Sequence, residues 1–458
     1  MSGRESENEQ RNLEWLASPS RELLRLAWPV AISMISYSLK TLVDTVFVAG
    51  LGKSALAGVG LGGMAAFTLL CFGFGSLRGV KVLVSQARGA GERGVLGAYL
   101  GAGLAIGVVF GTLILGVGFL VAQLLPAISE SAAAGADART YLSIRGLDFP
   151  IVMVIVALRE YRYGLGDSRG PMWASLAGNL ANVGFDALFI YGLGFGVAGA
   201  AWASVLATLL SLLVLIPVQH QDGWRIRGMR LVHLRAVLRV GLPTGIQFLL
   251  EMGSFAALGA LLSALSETEM AAHQVAIQII HFTFLPILAV AEAAAVMAGE
   301  AVGARRDELV GKVSARALLV TSVYALLCTV ALVLFSDDIA RAFAAEGLLK
   351  DRITMLLYIA AVFQWFDAAN AVARCVLRGT GDVRYPAVVG IGTAWLMTPP
   401  LTWLLGYELG LGAAGGWVGL TGEIVLCAGI LWWRLGRGHW RAEARKERLR
   451  AELTAAAA

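Results

Sequence analysis

Residues 28–57 read WPVAISMISYSLKTLVDTVFVAGLGKSALA, and the fold follows from this stretch. It is apolar and long enough to cross a bilayer, which takes about 20 mostly apolar residues in a helix. It nevertheless carries Pro29, Lys40 and Asp44. A carboxylate at that depth costs at least a few kcal/mol unless it is protonated, paired or turned to water, so Asp44 is a candidate for function. Lys40 stands one helical turn earlier, and a simple neutralising pair is the alternative reading. Pro29 has no N–H to give to the helix and offers a hinge inside the span.

The rest of the chain has the same character. Of 458 residues, 57% are hydrophobic and only 15% charged, with a mean hydropathy of +0.71, whereas soluble domains carry about a quarter charged residues. Apolar runs of spanning length recur twelve times, at about 24–50, 55–84, 96–125, 142–164, 171–192, 198–218, 236–263, 270–298, 313–336, 354–378, 386–408 and 414–435. Barrel strands would be about 10 residues of alternating polarity. The expectation is an all-α membrane protein with twelve transmembrane helices. The polar N-terminal residues do not have the form of a cleavable signal. Cys71, Cys328, Cys375 and Cys427 lie in apolar runs without metal-type spacing and read as small buried hydrophobes. A net charge of +5 does not imply nucleic acid, because the basic residues fall between spans and report topology instead.

Arg21, Arg25, Arg88, Arg93, Arg169, the cluster Arg225, Arg227, Arg230, Arg235 and Arg239, then Arg305, Arg306, Lys312, Arg384 and the run Arg434 to Arg450 all fall on one side of the spans. The opposite connections hold Glu130, Asp137, Glu267, Glu269, Asp337, Asp338, Glu346 and Glu408. The positive-inside rule puts both termini in the cytoplasm.

The two halves of the chain repeat. Arg25 and Pro29 return as Arg239 and Pro243, an offset of 214, and Arg159, Gly164, Gly166-Asp167, Arg169 and Pro171 return as Arg374, Gly379, Gly381-Asp382, Arg384 and Pro386, an offset of 215. Six spans per half is an even number, so both halves enter from the same side and form parallel repeats about an axis along the membrane normal, which in transporters places the site between them. The organisation expected is a cytoplasmic N-terminal segment 1–20, an N-lobe 21–218, a cytoplasmic linker 219–235, a C-lobe 236–435 and a basic cytoplasmic tail 436–458. Many of the 55 glycines lie inside spans, where small residues let helices approach closely.

In order, the chain carries Val43-Asp44-Thr45, Gly50-Leu51-Gly52, Ser85-Gln86 with Gly89-Ala90-Gly91, Gly164-Leu165-Gly166-Asp167, Asn179, Asn182 and Asp186, Gly199-Ala200-Ala201, Ala271-Ala272-His273-Gln274 and Leu377-Arg378-Gly379-Thr380-Gly381-Asp382. In these motifs it resembles the multidrug and toxic compound extrusion (MATE) family, NorM/DinF-like, over about residues 21–435. The resemblance implies a secondary active antiporter that exports drug-like or toxic organic compounds in exchange for H+ or Na+ by alternating access of two lobes. It implies no cofactor beyond the coupling ion, no nucleic-acid partner, and a monomer in the bacterial inner membrane. The ion-coupling positions it implies are Asp44, Asn182 and Asp186 in the first half and Glu251 and Asp367 in the second, the last two also as Na+ ligands. Both ions stay open, since protonation of Asp44 removes a buried charge while Na+ asks for hard oxygen ligands.

The coupling acids have no echo in the repeat: Asp44 maps on Leu258, Asp186 on Leu401, Glu251 on Tyr37 and Asp367 on Val152. Asp167 and Asp382 echo each other beside Gly, Arg and Pro, which favours a structural turn. Their Gly-x-Gly-Asp pattern also occurs in intramembrane aspartyl proteases, but those need two aspartates sharing a proton within the membrane, and both copies here lie at loop ends. Tyr37, Lys40, Asn179, Phe248, Phe255, Phe282 and Phe363 are candidates for a substrate cavity. Arg78, Lys81 and Glu292 are candidates for the lobe interface, where Arg78 and Glu292, at equivalent positions with opposite sign, either form a latch or line a wet cavity. The cations Lys40, Arg78 and Lys81 leave an anionic or zwitterionic substrate open, and with it a lipid or lipid-linked oligosaccharide flippase of a related two-lobe fold. His273 and His281, two turns apart without a carboxylate partner, are weak evidence for metal.

Overall fold

In a computed structural model the chain is described over residues 13–129, 131–224, 226, 228–343 and 345–456. Residues 1–12 of the N-terminal segment, Glu130, Arg225 and Arg227 among the orienting charges, and 457–458 of the tail lie outside the described residues. The described chain is helical from end to end: α1 Pro19–Ala49, α2 Lys53–Ala90, α3 Arg93–Ile128, α4 Ala132–Arg145, α5 Phe149–Gly164, α6 Arg169–Asp186, α7 Gly196–Asp222, α8 Leu231–Leu265, α9 Glu267–Gly303, α10 Glu308–Leu334, α11 Ser336–Ala342, α12 Gly347–Gly379, α13 Arg384–Leu401, α14 Ala413–Arg437 and α15 Trp440–Ala456.

Helix ends are set by local chemistry. Ser131 and Ser266 cap α4 and α9 by accepting from the N–H of Ala134 and Glu269, each at 3.1 Å, which satisfies donors that a helix start leaves orphaned. At the end of α14, Gly438 takes the left-handed conformation at φ 72°, where a side chain would be strained. Pro29 and Pro243 are accommodated inside continuous helices α1 and α8.

Eleven segments among the described residues are long and apolar enough to cross a membrane. The sequence led us to expect a twelfth span, and its segment is α6, 18 residues continued by a 6-residue π-helical segment, Ala187–Gly192. It falls short in apolarity because it carries Arg169, Asn179, Asn182 and Asp186. A second π segment, Thr402–Glu408, follows α13. Its start lies 215 residues after Ala187, so the repeat extends to backbone geometry. It also decides a question of cause: Asp186 precedes one π segment and Leu401 the other, so the acid is not what induces it. Similarly Gly166 and Gly381 share positive φ, and Arg305, the non-glycine with positive φ among the described residues, stands 214 residues after Gly91, which shares its conformation.

The chain forms two compact units. One comprises Met1–Ala31, Ser85–Gly91 and Gln247–Glu452, the other Ile32–Val84, Glu92–Ile246 and Leu453–Ala458. In the second unit, Gly75 and Gly79 of α2 meet Gly241 and Gly245 of α8. A Cβ on Gly241 would lie 1.7 Å from the Ser76 carbonyl oxygen, and one on Gly75 2.7 Å from the Gly245 Cα. Two facing small-xxx-small stripes of this kind bring helix backbones into contact in lipid, where apolar side chains give no hydrophobic advantage.

In the first unit the repeat-related segments 85–91 and 299–305 pack on each other. A Cβ on Gly89 would meet the Glu300 carbonyl oxygen at 2.1 Å, and one on Gly303 the Gln86 carbonyl oxygen at 2.0 Å. Position 89 is the repeat of 303 and 86 of 300, so the contacts are reciprocal, the signature of a local two-fold axis. The Glu300 carboxylate there accepts from Trp15 Nε1 at 2.9 Å and Arg88 Nη1 at 2.7 Å. Residues 440–452 of α15 belong to this unit, held by Arg448 Nη1 and Nη2 donating to both oxygens of Asp307 at 2.7 and 3.0 Å.

Candidate functional site

Residues Tyr37, Lys40 and Asp44 share one face of α1 at helical spacing, and Asn179, Asn182 and Asp186 share one face of α6. The second unit brings these faces together. Asn179 Nδ2 donates to Ser36 Oγ at 2.8 Å, and Lys40 Nζ lies 2.7 Å from Asp44 Oδ2 and donates to Ser204 Oγ of α7 at 3.4 Å. Tyr37 is half exposed, its ring centroid 5.9 Å from Lys40 Nζ. Asn182 and Asp186 are 0% and 1% exposed. No N–H or hydroxyl among the described residues donates to either carboxylate oxygen of Asp186, and Asp44 Oδ1 is in the same situation. The Asp186 carboxyl instead faces Asp44, with Lys40 as the nearby cation.

Glu251 and Asp367 fall in the first unit, in a network that sequence reading missed. Glu251 Oε1 accepts from Gln247 Nε2 at 2.7 Å and Oε2 from Arg374 Nη1 at 3.0 Å. Arg374 Nη2 also reaches Cys427 Sγ at 3.7 Å. Glu423 Oε1 accepts from Thr393 Oγ1 at 3.0 Å, and Arg378 Nη2 donates to Gln247 Oε1 at 2.7 Å with its guanidinium 5.4 Å over the Phe248 ring. Asp367, half-buried, stands within electrostatic reach of Arg374, Glu423 and Glu251. Gly390 is the slot that admits the network, since a Cβ there would meet Gln247 Nε2 at 2.5 Å and Glu251 Oε1 at 2.6 Å. Glu423 and Glu160 are acids inside spans, a signal that the cost of intramembrane charge makes visible. Arg374 was visible too, but as the repeat of Arg159.

Three expected placements change. Lys81, expected at a lobe interface, is buried inside its own unit, 3.5 Å from the buried Glu160, because a buried ammonium takes the nearest carboxylate. Phe363, expected on a cavity wall, is packed in the core of the first unit, its ring centroid 6.0 Å from that of Trp417. A flat ring on a helix face that is closed by a neighbouring Trp is packing, not a free wall. Glu251 does not stand open to a cation, since Arg374 already neutralises it.

Of the remaining candidates, Phe255 is exposed, Phe282 is half-buried against His281, and Pro29 is buried. Arg78 is half-buried in the second unit, while Glu292 is buried in the first and accepts from the Cys375 thiol at 3.8 Å. The turn aspartates are structural: Asp167 Oδ1 accepts from the N–H groups of Arg169 and Gly170 at 3.0 and 3.2 Å and Oδ2 from Arg162 Nε at 2.7 Å, and Asp382 pairs with Arg434 at 2.5 Å. His273 Nδ1 accepts from Trp417 Nε1 at 3.2 Å, which accounts for it without metal.

Long apolar helices, close-packed through glycine and carrying buried ion pairs within them, define a multi-pass helical membrane protein. The MatE family profile matches residues 29–188 and 243–404, two blocks beginning at the repeat-related Pro29 and Pro243. The chain therefore belongs to the MatE family of transporters. It is 31% identical over 457 residues to the probable multidrug resistance protein NorM of Pseudomonas putida, covering 93% of this chain and 97% of that one. To the protein of the same description from Burkholderia pseudomallei it is 29% identical over 446 residues, covering 92% and 93%. The fold is that of a solved multidrug resistance MATE family transporter of the MOP superfamily in an outward-facing conformation, with a TM-score of 0.86 and 23% identity over 93% of this chain and 97% of that one.

Proposed function

We propose that the chain is a secondary antiporter of the bacterial inner membrane that exports drug-like organic compounds in exchange for protons, with Asp44 and Asp186 as the proton site. The halves 21–218 and 236–435 act as the two rocking lobes, with both termini cytoplasmic, and the chain works as a monomer.

The observation that carries this reading is the carboxyl pair: Asp186 is buried, faces Asp44, and has Lys40 as a nearby cation. Two carboxylates and one ammonium leave one negative charge, which a single proton cancels. Such a pair is stable in the membrane with the proton and costly without it. Loss of the proton leaves α1 and α6 repelling across the pair, so the faces separate and the Lys40–Asp44 bridge is free to rearrange around an entering substrate. Proton return from outside re-forms the pair, closes the faces and expels the substrate. Tyr37, Asn179 and Ser36 line the same faces and supply hydrogen-bonding and ring contacts to an organic molecule.

The family relationship and the NorM relatives support small organic compounds as cargo. The pairing of Lys40 with Asp44 and Lys81 with Glu160 neutralises two of the three cations that kept a strongly basic flippase cavity open, so the drug-export reading is preferred.

The test is transport in proteoliposomes under separately imposed H+ and Na+ gradients. Wild type should export against a H+ gradient alone, and Asp44→Asn and Asp186→Asn should each abolish that export while leaving substrate binding measurable. Intact H+-driven export in Asp44→Asn would remove the proton site.

A further inference from the structure

Where the last span ends, the chain carries more cations than its own packing uses. Residues 434–450 hold seven arginines and lysines against two glutamates. Four of the seven are paired: Arg434 with Asp382 at 2.5 Å, Lys446 with Glu443 at 2.6 Å, Arg448 with Asp307 at 2.7 Å, and Arg450 with Glu447. Arg437, Arg441 and Arg445 are exposed, and none of the three forms an ion pair among the described residues. Helix α15 is fixed with another side inward. Trp440 and Ala444 are buried, Trp440 Nε1 donates to the Leu435 carbonyl oxygen at 3.3 Å, and Arg448 Nη1 donates to that of Val302 at 3.1 Å. Arg441 and Arg445, one turn apart, therefore share a flank that the packing leaves uncovered.

The corner before α15 is compact. A Cβ on Gly438 would lie 3.2 Å from Arg441 Nη1, so that guanidinium folds back over the turn at the end of α14, where Arg437 stands. His439 meets the Trp433 ring edge-on, with centroids 5.2 Å apart. Trp433 is 53% exposed and ends a stripe of Val418, Val425 and Leu426, all exposed at helical spacing along α14. Uncovered apolar side chains along a span are solvated by acyl chains, and a Trp at the end of such a stripe sits at headgroup level.

We infer that the corner between α14 and α15, formed by Trp433, Arg437, His439 and Arg441, binds the phosphate headgroup of an anionic phospholipid in the adjoining leaflet. Guanidinium forks match phosphate oxygens bidentately, and clusters of Arg and Lys just beyond a span attract anionic lipid. Trp433 supplies a ring with one apolar and one polar end at the depth where acyl chain meets headgroup, and Arg445 extends the cationic flank. A headgroup held there pins the start of α15. Through the bridge from Arg448 to Asp307 it also steadies the connection between α9 and α10. The inference goes beyond the antiport reading and requires neither its coupling ion nor its substrate.

The test is thermal unfolding of the purified full-length protein in dodecyl maltoside micelles containing phosphatidylcholine, into which phosphatidylglycerol is titrated. The wild-type midpoint should rise with the logarithm of phosphatidylglycerol concentration, as expected for a ligand that binds the folded state. Added phosphatidylcholine, or inorganic phosphate at matched ionic strength, should give no such rise. Arg437→Gln/Arg441→Gln should need roughly 30-fold more phosphatidylglycerol for the same rise, about fivefold for each arginine withdrawn from an anionic surface. Arg21→Gln/Arg93→Gln, which removes two exposed arginines elsewhere, should behave as wild type. If the corner double variant is not recovered folded, Arg441→Gln alone decides by its fivefold shift. The inference is overturned if wild type shows no rise, if the corner variant keeps it in full, or if Arg21→Gln/Arg93→Gln loses it equally. An equal response to inorganic phosphate identifies an anion site without lipid and overturns it as well. None of these readouts uses transport, so failure of the antiport reading is seen separately in the proteoliposome assay.

Discussion

Lys40→Met isolates the electrostatics of the carboxyl pair. At 2.7 Å and an effective dielectric of about 20, Coulomb's law gives about 6 kcal/mol for the Lys40–Asp44 attraction. In the intact protein most of this is offset by desolvation of the two ions. Removing one partner alone is different, because the desolvation of Asp44 remains while its compensation is lost, and such truncations cost about 3–5 kcal/mol. The side chains are 11% and 19% exposed, so solvent screening reduces this little. Loss of the Ser204 contact adds about 1 kcal/mol. Lys40→Met should therefore be destabilised by about 3 kcal/mol or more on the alkaline side of neutrality, measured by equilibrium unfolding in mixed micelles. Lowering the pH supplies the missing positive charge as a proton, so the deficit should shrink on the acid side. The double variant Lys40→Met/Asp44→Asn should regain most of the loss at all pH values, since no unpaired carboxylate is left at position 44. A single variant as stable as wild type on the alkaline side, or a double variant no better than the single, would refute the account of a buried charge held by Lys40.

Packing gives two further expectations. Gly303→Val should cripple folding, because its Cβ would lie 2.0 Å from the Gln86 carbonyl oxygen, whereas Gly60→Ala, with nothing within 4 Å, should be neutral or stabilise by about 0.5–1 kcal/mol through helix propensity; monodispersity on size exclusion and the thermal midpoint report both. Phe363→Ala should cost about 3–5 kcal/mol as a core cavity, with the affinity for organic substrates in a binding titration unchanged, since the ring packs on Trp417.

The spans, the duplication and the presence of Asp44 inside an apolar run were legible because each is a local property: apolar run length, self-similarity, and a charge where lipid should be. The structural role of Asp167 and Asp382 was legible for a related reason, since an acid echoed in both halves and flanked by Gly and Arg describes a turn that the repeat needs twice. The Glu251–Arg374–Glu423 network was harder to see. Its members lie on α8, α12 and α14, and a sequence states which side chains share a helix face but not how one helix is rotated against the next. Lys81 shows the same limit, for its partner Glu160 sits on α5, 79 positions away in the chain. Phe363 was misplaced because an aromatic stripe reads identically whether a ligand or a tryptophan lies opposite.

The sequence by itself determined an all-helical membrane protein of two related halves with acids that only one half carries, because hydrophobic length and charge cost are written residue by residue. Only the tertiary structure decided which charges cancel: Lys40 with Asp44, Lys81 with Glu160 and Arg374 with Glu251. Ion pairing depends on approach within about 4 Å, and that distance is set by the rotation and close contact of helices far apart in the chain.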